Sequence, residues 1–301
     1  MGCLLKIENY DAQAVSHAMI PTPIILSNLV LRVYYSSRDL DGLGRPRYAD
    51  FDLQSNFALI KHSNSFVLDV GVPGAFDDNG VVACSVIEME DQKFYLYYAG
   101  FELSTKIRYR IFTGLAESSD RGERFHRVSK APILDRTDSE LFFRGGPFVQ
   151  RTRFGYEMYY VGGGDWIQLE NSLKPVYTIK KSLSLDGILW DDPVEVLQSR
   201  DENEHGFGRP YPFEWNGRNF LAFSVRDSFQ ETYRLGFAEF IDDLLVRKDH
   251  EFQLFQDKIL IENRELMYAA FFSYDDDLYM LYNTKDFGLE GIFIAKLESL
   301  D

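Results

Sequence analysis

Charged and imidazole side chains recur at one place in the sequence, just before a short apolar segment that appears five times along the chain. These residues are His17, Asp77, Asp78, Arg144, His205, Arg209 and Glu265. Carboxylates and imidazoles are the usual groups for general acid–base chemistry, and arginine binds a carboxylate or phosphate through two parallel hydrogen bonds. A fold that brings the five segments to one axis would gather these side chains into a single polar site.

Each side chain has a predicted role in such a site. Asp77 or Asp78 is the candidate general acid or base, with Glu265 as its counterpart. The residues predicted to bind substrate are His17, His205, Arg144 and Arg209 within the site, and Arg38, Asp39 and Arg47 near its rim. In the alternative interpretation, Arg144 and Arg209 pair with the three acids in a salt-bridge network that only holds the protein together.

The apolar segments belong to an internal repeat of about sixty residues. An aromatic residue marks the second strand of each unit, at Tyr35, Tyr98, Tyr160, Phe223 and Tyr282, with spacings of 63, 62, 63 and 59 residues. Aligning the preceding segments at Pro23, Ser85, Pro147, Pro210 and Ala269 gives spacings of 62, 62, 63 and 59. Aromatic and β-branched residues between Asp-Gly, Asn-Gly and Asp-Asp turns are typical of antiparallel strands. Units of this length predict the three- to four-stranded blades of a propeller.

The predicted fold is therefore all-β, a single five-bladed β-propeller domain over residues 1–301. The predicted blades are residues 11–70, 71–135, 136–200, 201–260 and 261–301. Because the last range ends after its third strand, we expect residues 3–7, within a segment 1–10, to supply the missing outer strand and close the ring. The first strand of each blade lines a central funnel, which places the polar set where propellers bind ligands.

The charge balance narrows the class of partner. A formal net charge of −15, with 47 acidic and 32 basic residues, disfavours nucleic acid and anionic lipid surfaces. No apolar run approaches the ~18 residues that span a bilayer, so no membrane insertion is expected. Two cysteines make no disulfide framework, and the N-terminal residues resemble no signal peptide, so a reduced, cytoplasmic protein is predicted. The five histidines show no metal-ligand spacing, and neither a metal nor a cofactor is predicted.

Seven phrases carry a resemblance to a known group of proteins. They are SHAMIPTP (16–23), YYSSRDLDGLGRPR (34–47), GAFDDNGV (74–81), FFRGGPFV (142–149), KPVYTIKKSLSLDGILW (174–190), GRPYPF (208–213) and RELMYAAFF (264–272). Through them, nearly the whole chain resembles the five-bladed superfamily of arabinanases, levansucrases, invertases and mannoside phosphorylases. It is most similar to a branch of glycosidase-like proteins associated with bacterial surface-polysaccharide loci.

The resemblance implies a carbohydrate-active protein, yet the site departs from the hydrolase pattern. His17 and Arg144 stand where the hydrolases of the superfamily carry their first and third carboxylates, and only Asp77 or Asp78 resembles the second. Cleavage by two carboxylates would then need Glu265 to reach across the funnel. The mannoside phosphorylases resemble this chain in combining one acid with Arg and His groups that grip phosphate.

Together these features predict a glycosidase-like enzyme that cleaves or transfers a glycosyl group on an anionic or phosphorylated sugar. Hydrolase, phosphorylase and transglycosylase activities stay open, and the expected partner is a small-molecule carbohydrate or sugar phosphate. The alternatives are a non-catalytic sugar-binding propeller and a scaffold in polysaccharide biosynthesis.

Overall fold

Strands dominate the computed structural model, which describes residues 2–27, 29–89, 92–169, 172–197, 199–228, 233–242, 244–249 and 266–297. The first strand, β1 (Cys3–Leu5), pairs with the end of the chain. Blade 1 contains β2 (Ser16–Leu26), β3 (Val30–Arg38), β4 (Gly44–Asp52) and β5 (Ala58–His62). Blade 2 contains β6 (Val81–Glu88), β7 (Phe94–Leu103), β8 (Tyr109–Ser118) and β9 (His126–Arg127).

The second half of the chain repeats this order. Blade 3 contains β10 (Phe143–Thr152), β11 (Gly155–Leu169), β12 (Ser172–Ser184) and β13 (Val194–Leu197). Blade 4 contains β14 (Glu204–Trp215), β15 (Arg218–Asp227), β16 (Arg234–Ile241) and β17 (Leu244–Arg247). Blade 5 contains β18 (Met267–Tyr274), β19 (Asp277–Asn283), β20 (Ile292–Leu297) and β1, with one helical turn at Lys285–Gly288. The prediction of an all-β propeller is confirmed, and five four-stranded antiparallel units are consistent with the predicted blade number.

The first strands form the innermost ring. β2, β6, β10, β14 and β18 each contact the first strands of the two adjacent blades, so the ring closes between β18 and β2. Short parallel bridges link β8 to β10 and β12 to β14. The five first strands therefore surround one axis.

The repeat aromatics sit between blades, as the spacing predicts. Tyr35, Tyr98, Tyr160, Phe223 and Tyr282 all lie on second strands and are almost fully buried. Each belongs to a cluster shared with the preceding blade; Tyr35, for example, packs with Phe272 and Tyr279 of blade 5. Burial of these rings between sheets is a large apolar contribution to joining the blades.

Glycine on the neighbouring strand makes room for two of these rings. Tyr98 pairs across from Gly114, and Phe223 across from Gly236. A Cβ atom at these glycines would lie 2.1 Å and 2.4 Å from the two rings. A larger residue at either position would push the aromatic out of its interface.

The N-terminal strand closes the ring, as expected for residues 3–7. β1 runs antiparallel to β20, with Cys3 opposite Phe293 and Leu5 opposite Ile292. Leu5 and Ile7 are buried in the cluster that joins blade 5 to blade 1. In the described part of the chain, no helix is both long enough and apolar enough to cross a membrane.

Candidate functional site

A β-bulge interrupts every first strand at the same level of the funnel. In blades 1, 3, 4 and 5, two residues of the first strand lie opposite one residue of the second strand, which is the repeat aromatic of that blade. In blade 2 one residue of the first strand is left unpaired. The first residues that the bulges leave unpaired are Ile20, Cys84, Gly146, Arg209 and Tyr268. All five line one cavity at the axis. Bulges re-aim side chains, and here they turn one residue per blade into the funnel.

The pairing corrects one alignment made from the sequence. Pro21, rather than Pro23, follows the first bulge residue of its blade, as Pro147 and Pro210 do in theirs. A second irregularity between Ser16 and Met19 shifts the strand. Spacing alone does not reveal such a shift, because both prolines belong to one apolar run.

Three bulge residues adopt a backbone conformation that favours glycine. Ile20, Arg209 and Tyr268 have φ angles of 54°, 50° and 57°. A β-branched residue in the left-handed region is a genuine outlier, and each such residue costs about 1–3 kcal/mol. Strain of this kind clusters at ligand sites, which singles out this level of the funnel.

The cavity, called the recess below, has a volume of about 100 Å³. Beyond the bulge residues, its lining residues are mostly apolar: Val82, Ala99, Phe101, Ile111, Phe143, Gly145, Val161, Tyr177, Gly208 and Tyr233. No aspartate or glutamate lines it among the described residues. The described residues of the recess therefore do not include the carboxylate pair that glycoside hydrolysis usually requires.

Arg209 forms the charged floor of the recess. Its guanidinium donates to the carbonyl oxygens of Cys84 and Pro21, the latter at 2.7 Å, and to the Thr22 hydroxyl at 3.0 Å. Arg209 is only 4% exposed, and burial lowers its pKa. Within the described residues it makes no ion pair with a carboxylate, and three oxygen atoms accept its hydrogen bonds.

Tyrosines form the wall above the floor. The hydroxyl groups of Tyr177 and Tyr233 hydrogen bond to each other, and the Tyr233 and Tyr268 rings lie 5.4 Å apart. Burial raises the pKa of Tyr177 and Tyr268 well above the usual value. These phenols therefore stay neutral and offer hydroxyl groups and flat ring faces to a ligand.

Arg226 completes this wall at the end of β15. Its guanidinium carbon lies 4.3 Å from the centroid of the Tyr233 ring, a cation–π distance. Its Nε is buried without a hydrogen-bond partner. Among the residues with described positions, no carboxylate pairs with Arg226.

Arg38 and His17 face this site from blade 1. Ser16 Oγ and His17 Nδ1 are 2.8 Å apart. Burial, and then the charge of Arg38, lower the pKa of His17 to about 4, although Asp286 acts in the opposite direction. Burial also lowers the pKa of Arg38, an effect that Tyr268 opposes and the nearby charge of Arg108 increases.

His205 faces the site from blade 4. Its Nδ1 lies 3.0 Å from the carbonyl oxygen of Pro175. Burial lowers its pKa, and the charges of Arg226 and Lys174 add to this effect. Both imidazoles are therefore neutral at pH 7 and can exchange hydrogen bonds with hydroxyl groups.

The predicted acids of blade 2 have other contacts. Asp77 accepts hydrogen bonds from the Tyr98 hydroxyl at 3.0 Å and from Arg127 Nε at 2.8 Å. Asp78 accepts from the backbone N–H of Gly74 at 2.8 Å. Neither acid lines the recess. Glu265, with Arg264 before it, lies outside the described residues.

Arg144 is held in an analogous pair. Its Nε lies 2.9 Å from a carboxylate oxygen of Glu140, which also accepts from the Tyr160 hydroxyl at 3.0 Å. In blade 4, Arg247 bonds to Glu204 and lies over the Phe223 ring. Blades 2, 3 and 4 thus each place a carboxylate–arginine pair beside the repeat aromatic. The alternative interpretation expected Arg144 to pair with Asp77, Asp78 or Glu265. The observed partner of Arg144 is Glu140 instead, and Asp77 pairs with Arg127.

Two residues expected near the rim also form ion pairs. Asp39 pairs with Arg45 and caps its own turn by accepting from the backbone N–H of Leu43 at 2.9 Å. Arg47 is fully buried and bonds to Asp11 at 2.8 Å, so the expectation that it reaches the rim is corrected. Of the predicted residues that the structure describes, Arg209 alone lines the recess. Arg38 lies near Tyr268, His17 near Arg38, and His205 near Arg226.

Sequence reasoning missed Arg226, although a signal was present. Arg38 and Arg226 both stand three residues after a repeat aromatic, each followed by aspartate. Tyr268 was adjacent to the aligned Ala269, and its significance comes from the bulge. In the described residues, no group of three or more His, Cys, Asp or Glu side chains is placed to hold a metal ion.

Comparison with known proteins supports the fold. No model of a known protein family matches the chain. It is 27% identical over 289 residues to the uncharacterized protein Rv1502 of Mycobacterium tuberculosis, covering 94% of this chain and 93% of the relative. A counterpart from a second strain is 26% identical over 289 residues, with the same coverage.

Solved structures of glycoside hydrolases share the fold. A thermostable family-43 glycoside hydrolase matches with a TM-score of 0.65 and 15% identity, over 97% of this chain and 93% of its own. An endo-arabinase from Bacteroides thetaiotaomicron matches with a TM-score of 0.67 and 11% identity, over 97% and 99%. A sucrose-6-phosphate hydrolase from Lactobacillus gasseri has a TM-score of 0.67 and 12% identity, over 95% of this chain and 62% of its own. The chain therefore has the propeller fold of these glycoside hydrolases.

Proposed function

We propose that this protein is glycosidase-like and binds an anionic or phosphorylated sugar in the funnel. The observation that carries the proposal is the pair Arg38 and Arg226, which occupy equivalent positions at the ends of β3 and β15 and lie near Tyr268 and Tyr233 of the recess. Neither forms an ion pair with a carboxylate in the described part of the chain, where the adjacent Asp39 and Asp227 pair with Arg45 and Arg234. Burial opposes the charge of Arg38, whereas the tyrosines around Arg226 outweigh burial and raise its pKa; a bound anion would stabilise both cations.

The surrounding groups suit a sugar. Neutral imidazoles and tyrosine hydroxyls can donate and accept hydrogen bonds with sugar hydroxyls, and the tyrosine rings offer apolar faces. One structural neighbour is named a sucrose-6-phosphate hydrolase, and a Bombyx mori β-fructofuranosidase of this fold was solved with sucrose. These names support a carbohydrate ligand, and the first of them names a phosphorylated sugar.

A thermal-shift experiment tests this proposal. The probes are inorganic phosphate, glucose 1-phosphate, mannose 1-phosphate and galacturonate, compared with neutral glucose, mannose and arabinose. A probe at ~100 times its Kd adds ~2.7 kcal/mol of stability. We expect the anions to raise Tm in the native protein and Arg226→Gln to weaken their binding at least tenfold.

The control is Arg153→Gln, which removes the same charge from the exposed turn between β10 and β11. It should leave anion binding unchanged. Equal stabilisation of both variants, or stabilisation by neutral sugars alone, would refute the anion site.

Glycosyl cleavage or transfer is the second candidate function. Glu265 favours it, because it precedes the bulge residue Tyr268 by three positions, although no described carboxylate lines the recess. We propose Glu265 as the acid, while the ion pair of Asp77 with Arg127 supports a structural role for Asp77. Aryl glycosides would report turnover, which Glu265→Gln should abolish without loss of anion binding. Turnover that survives this change and disappears in Asp78→Asn would move the role to Asp78.

If no glycoside is turned over, the non-catalytic alternative is favoured. The same funnel would then serve as a sugar-binding module, for which surface-polysaccharide biosynthesis is the predicted setting. Anion binding that depends on Arg226 is expected in both cases, so the two tests are independent.

A further inference from the structure

Apart from Arg209, whose guanidinium donates to Cys84, Pro21 and Thr22, the side chains that line the recess are uncharged, unlike the part of the funnel that contains Arg38 and Arg226. Val82, Cys84 and Ala99 form one small buried cluster, with Ile111 packed against it. Phe143, Val161 and Tyr177 form another. The repeat aromatics belong to other clusters, so these two are separate from the five interfaces that join the blades. Members of both clusters line the cavity at the axis, so their apolar atoms can contact a ligand there.

The recess adjoins the proposed anion site. Tyr233 lines the recess, and the guanidinium of Arg226 lies 4.3 Å from its ring centroid. Tyr268 lines the recess, and it lies close enough to Arg38 to raise the pKa of that guanidinium. One ligand can therefore contact the cations with one group and the recess with the next.

Size limits what the recess accepts. At about 100 Å³ it is well below the ~300 Å³ of the smallest ordinary ligand pockets. It therefore suits a substituent rather than a whole sugar ring.

Polarity limits it further. The hydroxyl groups of Tyr177 and Tyr233 hydrogen bond to each other, which uses one of their two O–H donors, and the side chains of Val82, Ala99 and Ile111 have no polar atoms. A ligand hydroxyl buried among Val82, Ala99 and Ile111 would lose its hydrogen bonds to water, a cost that an apolar group avoids.

We infer that the natural ligand carries, beside its anionic group, a small substituent that ends in a methyl group, such as a deoxy methyl group or the methyl end of an acetyl group, and that this methyl group fills the recess. The inference rests on the proposed function and adds a specificity to it. An acidic or phosphorylated sugar that is also acetylated or deoxygenated would satisfy both halves of the funnel. The corresponding fully hydroxylated sugar phosphate would satisfy only the cationic half.

A series of simple anions tests the inference without knowledge of the sugar. The probes are inorganic phosphate, methylphosphonate, ethylphosphonate and propylphosphonate, measured by calorimetric titration of the full chain. Burial of one methylene is worth ~0.8 kcal/mol, so we expect affinity to rise about fourfold per carbon until the recess is full. Ala99→Leu fills the recess, and it should abolish this rise while phosphate still binds.

Two further variants keep the test decisive. Val161→Leu narrows the recess from blade 3 and replaces Ala99→Leu if that protein does not fold. Ala295→Leu adds the same volume on β20, away from the recess, and affinity should still rise along the phosphonate series in this variant.

Sugar phosphates give a second measurement. N-acetylglucosamine 1-phosphate should bind about tenfold more tightly than glucose 1-phosphate, and filling the recess should remove the difference.

The outcomes separate the two proposals. Equal affinity along the phosphonate series, with binding that still depends on Arg226, would overturn the substituent inference and leave the anion site intact. A rise that persists in both filled variants would also overturn it. Absence of binding by phosphate and every phosphonate would overturn the anion site and the inference together.

Discussion

Arg209 of blade 4 reaches across the axis and donates a hydrogen bond to the backbone carbonyl of Cys84 in blade 2. It also bonds to Pro21 and Thr22 of blade 1, so a single side chain ties three blades together. Both terminal nitrogens take part in these bonds, whereas its Nε is buried without a hydrogen-bond partner. We expect the direct contacts to an anion to come mainly from Arg38 and Arg226.

The first prediction separates Arg38 from Arg144. Arg38→Ala should weaken binding of glucose 1-phosphate at least tenfold with little change in Tm, because Arg38 faces the funnel unpaired. Arg144→Ala should lower Tm and leave binding unchanged, because it removes a partner of buried Glu140. This is the reverse of what the sequence indicates for the two residues. Loss of binding in Arg144→Ala, with normal binding in Arg38→Ala, would restore the sequence-based assignment.

The second prediction concerns the carboxylates beside the repeat aromatics. Asp77→Asn and Glu140→Gln each break an ion pair whose carboxylate is 1% exposed. Removing one partner of a buried pair typically costs ~3–5 kcal/mol. Denaturant unfolding should show similar losses for both variants, while calorimetry shows unchanged phosphate affinity. If Asp77→Asn keeps full stability, Asp77 is available for chemistry rather than structure.

The repeat made the fold predictable from the sequence. Large aromatics on second strands fill the space between blades, so their spacing of about sixty residues records the blade period directly. The pairing of β1 with β20 followed from a blade with one strand too few. Both features are patterns of apolar residues, and such patterns are visible in a sequence because these residues must be buried in the fold.

The site was less predictable, because charge type in a sequence does not reveal its partner. Asp77 precedes a first strand and Arg144 lies near the start of one, as His17 and His205 do, but Arg127 and Glu140 neutralise them. Arg226 looked like an ordinary strand end. The bulges that expose Ile20 and Tyr268 depend on backbone pairing, which residue spacing does not encode.

The third prediction is a loss of stability on mild acidification. His17 has an ordinary pKa of 6.5, whereas in the fold its pKa is about 4. Below pH 6.5 His17 becomes protonated in the unfolded chain but stays neutral in the folded protein. The free energy of unfolding therefore falls as the pH decreases from 6.5 toward 4. His17→Asn should reduce the difference in Tm between pH 7.5 and pH 5, and His126→Asn, an exposed residue, should not. An identical pH dependence in all three proteins would contradict the shifted pKa.

The fourth prediction concerns thiol reactivity. Burial raises the pKa of Cys84 to about 11, while Cys3 is exposed. Because the thiolate is the nucleophile, an aromatic disulfide reagent at pH 8 should modify one thiol in the native protein and both after unfolding. Cys3→Ser should leave the native protein unreactive. Rapid modification of Cys84 in that variant would show that the recess is open to solvent.

The last prediction tests closure of the ring by the N-terminal strand. Deletion of residues 2–8 removes the partner of β20 and two buried side chains, Leu5 and Ile7, from the cluster between blades 5 and 1. Each buried aliphatic side chain contributes about 1.5–3 kcal/mol, and the exposed edge adds a tendency to aggregate. Two such side chains amount to about 3–6 kcal/mol, so we expect Tm to fall by at least about 6 °C, given about 2–4 °C per kcal/mol for a large domain. A Lys6→Ala, Glu8→Ala double variant removes only an exposed ion pair from the same segment and should melt like the native protein. Equal Tm values for the deletion and the double variant would show that packing of the other blades closes the ring without β1.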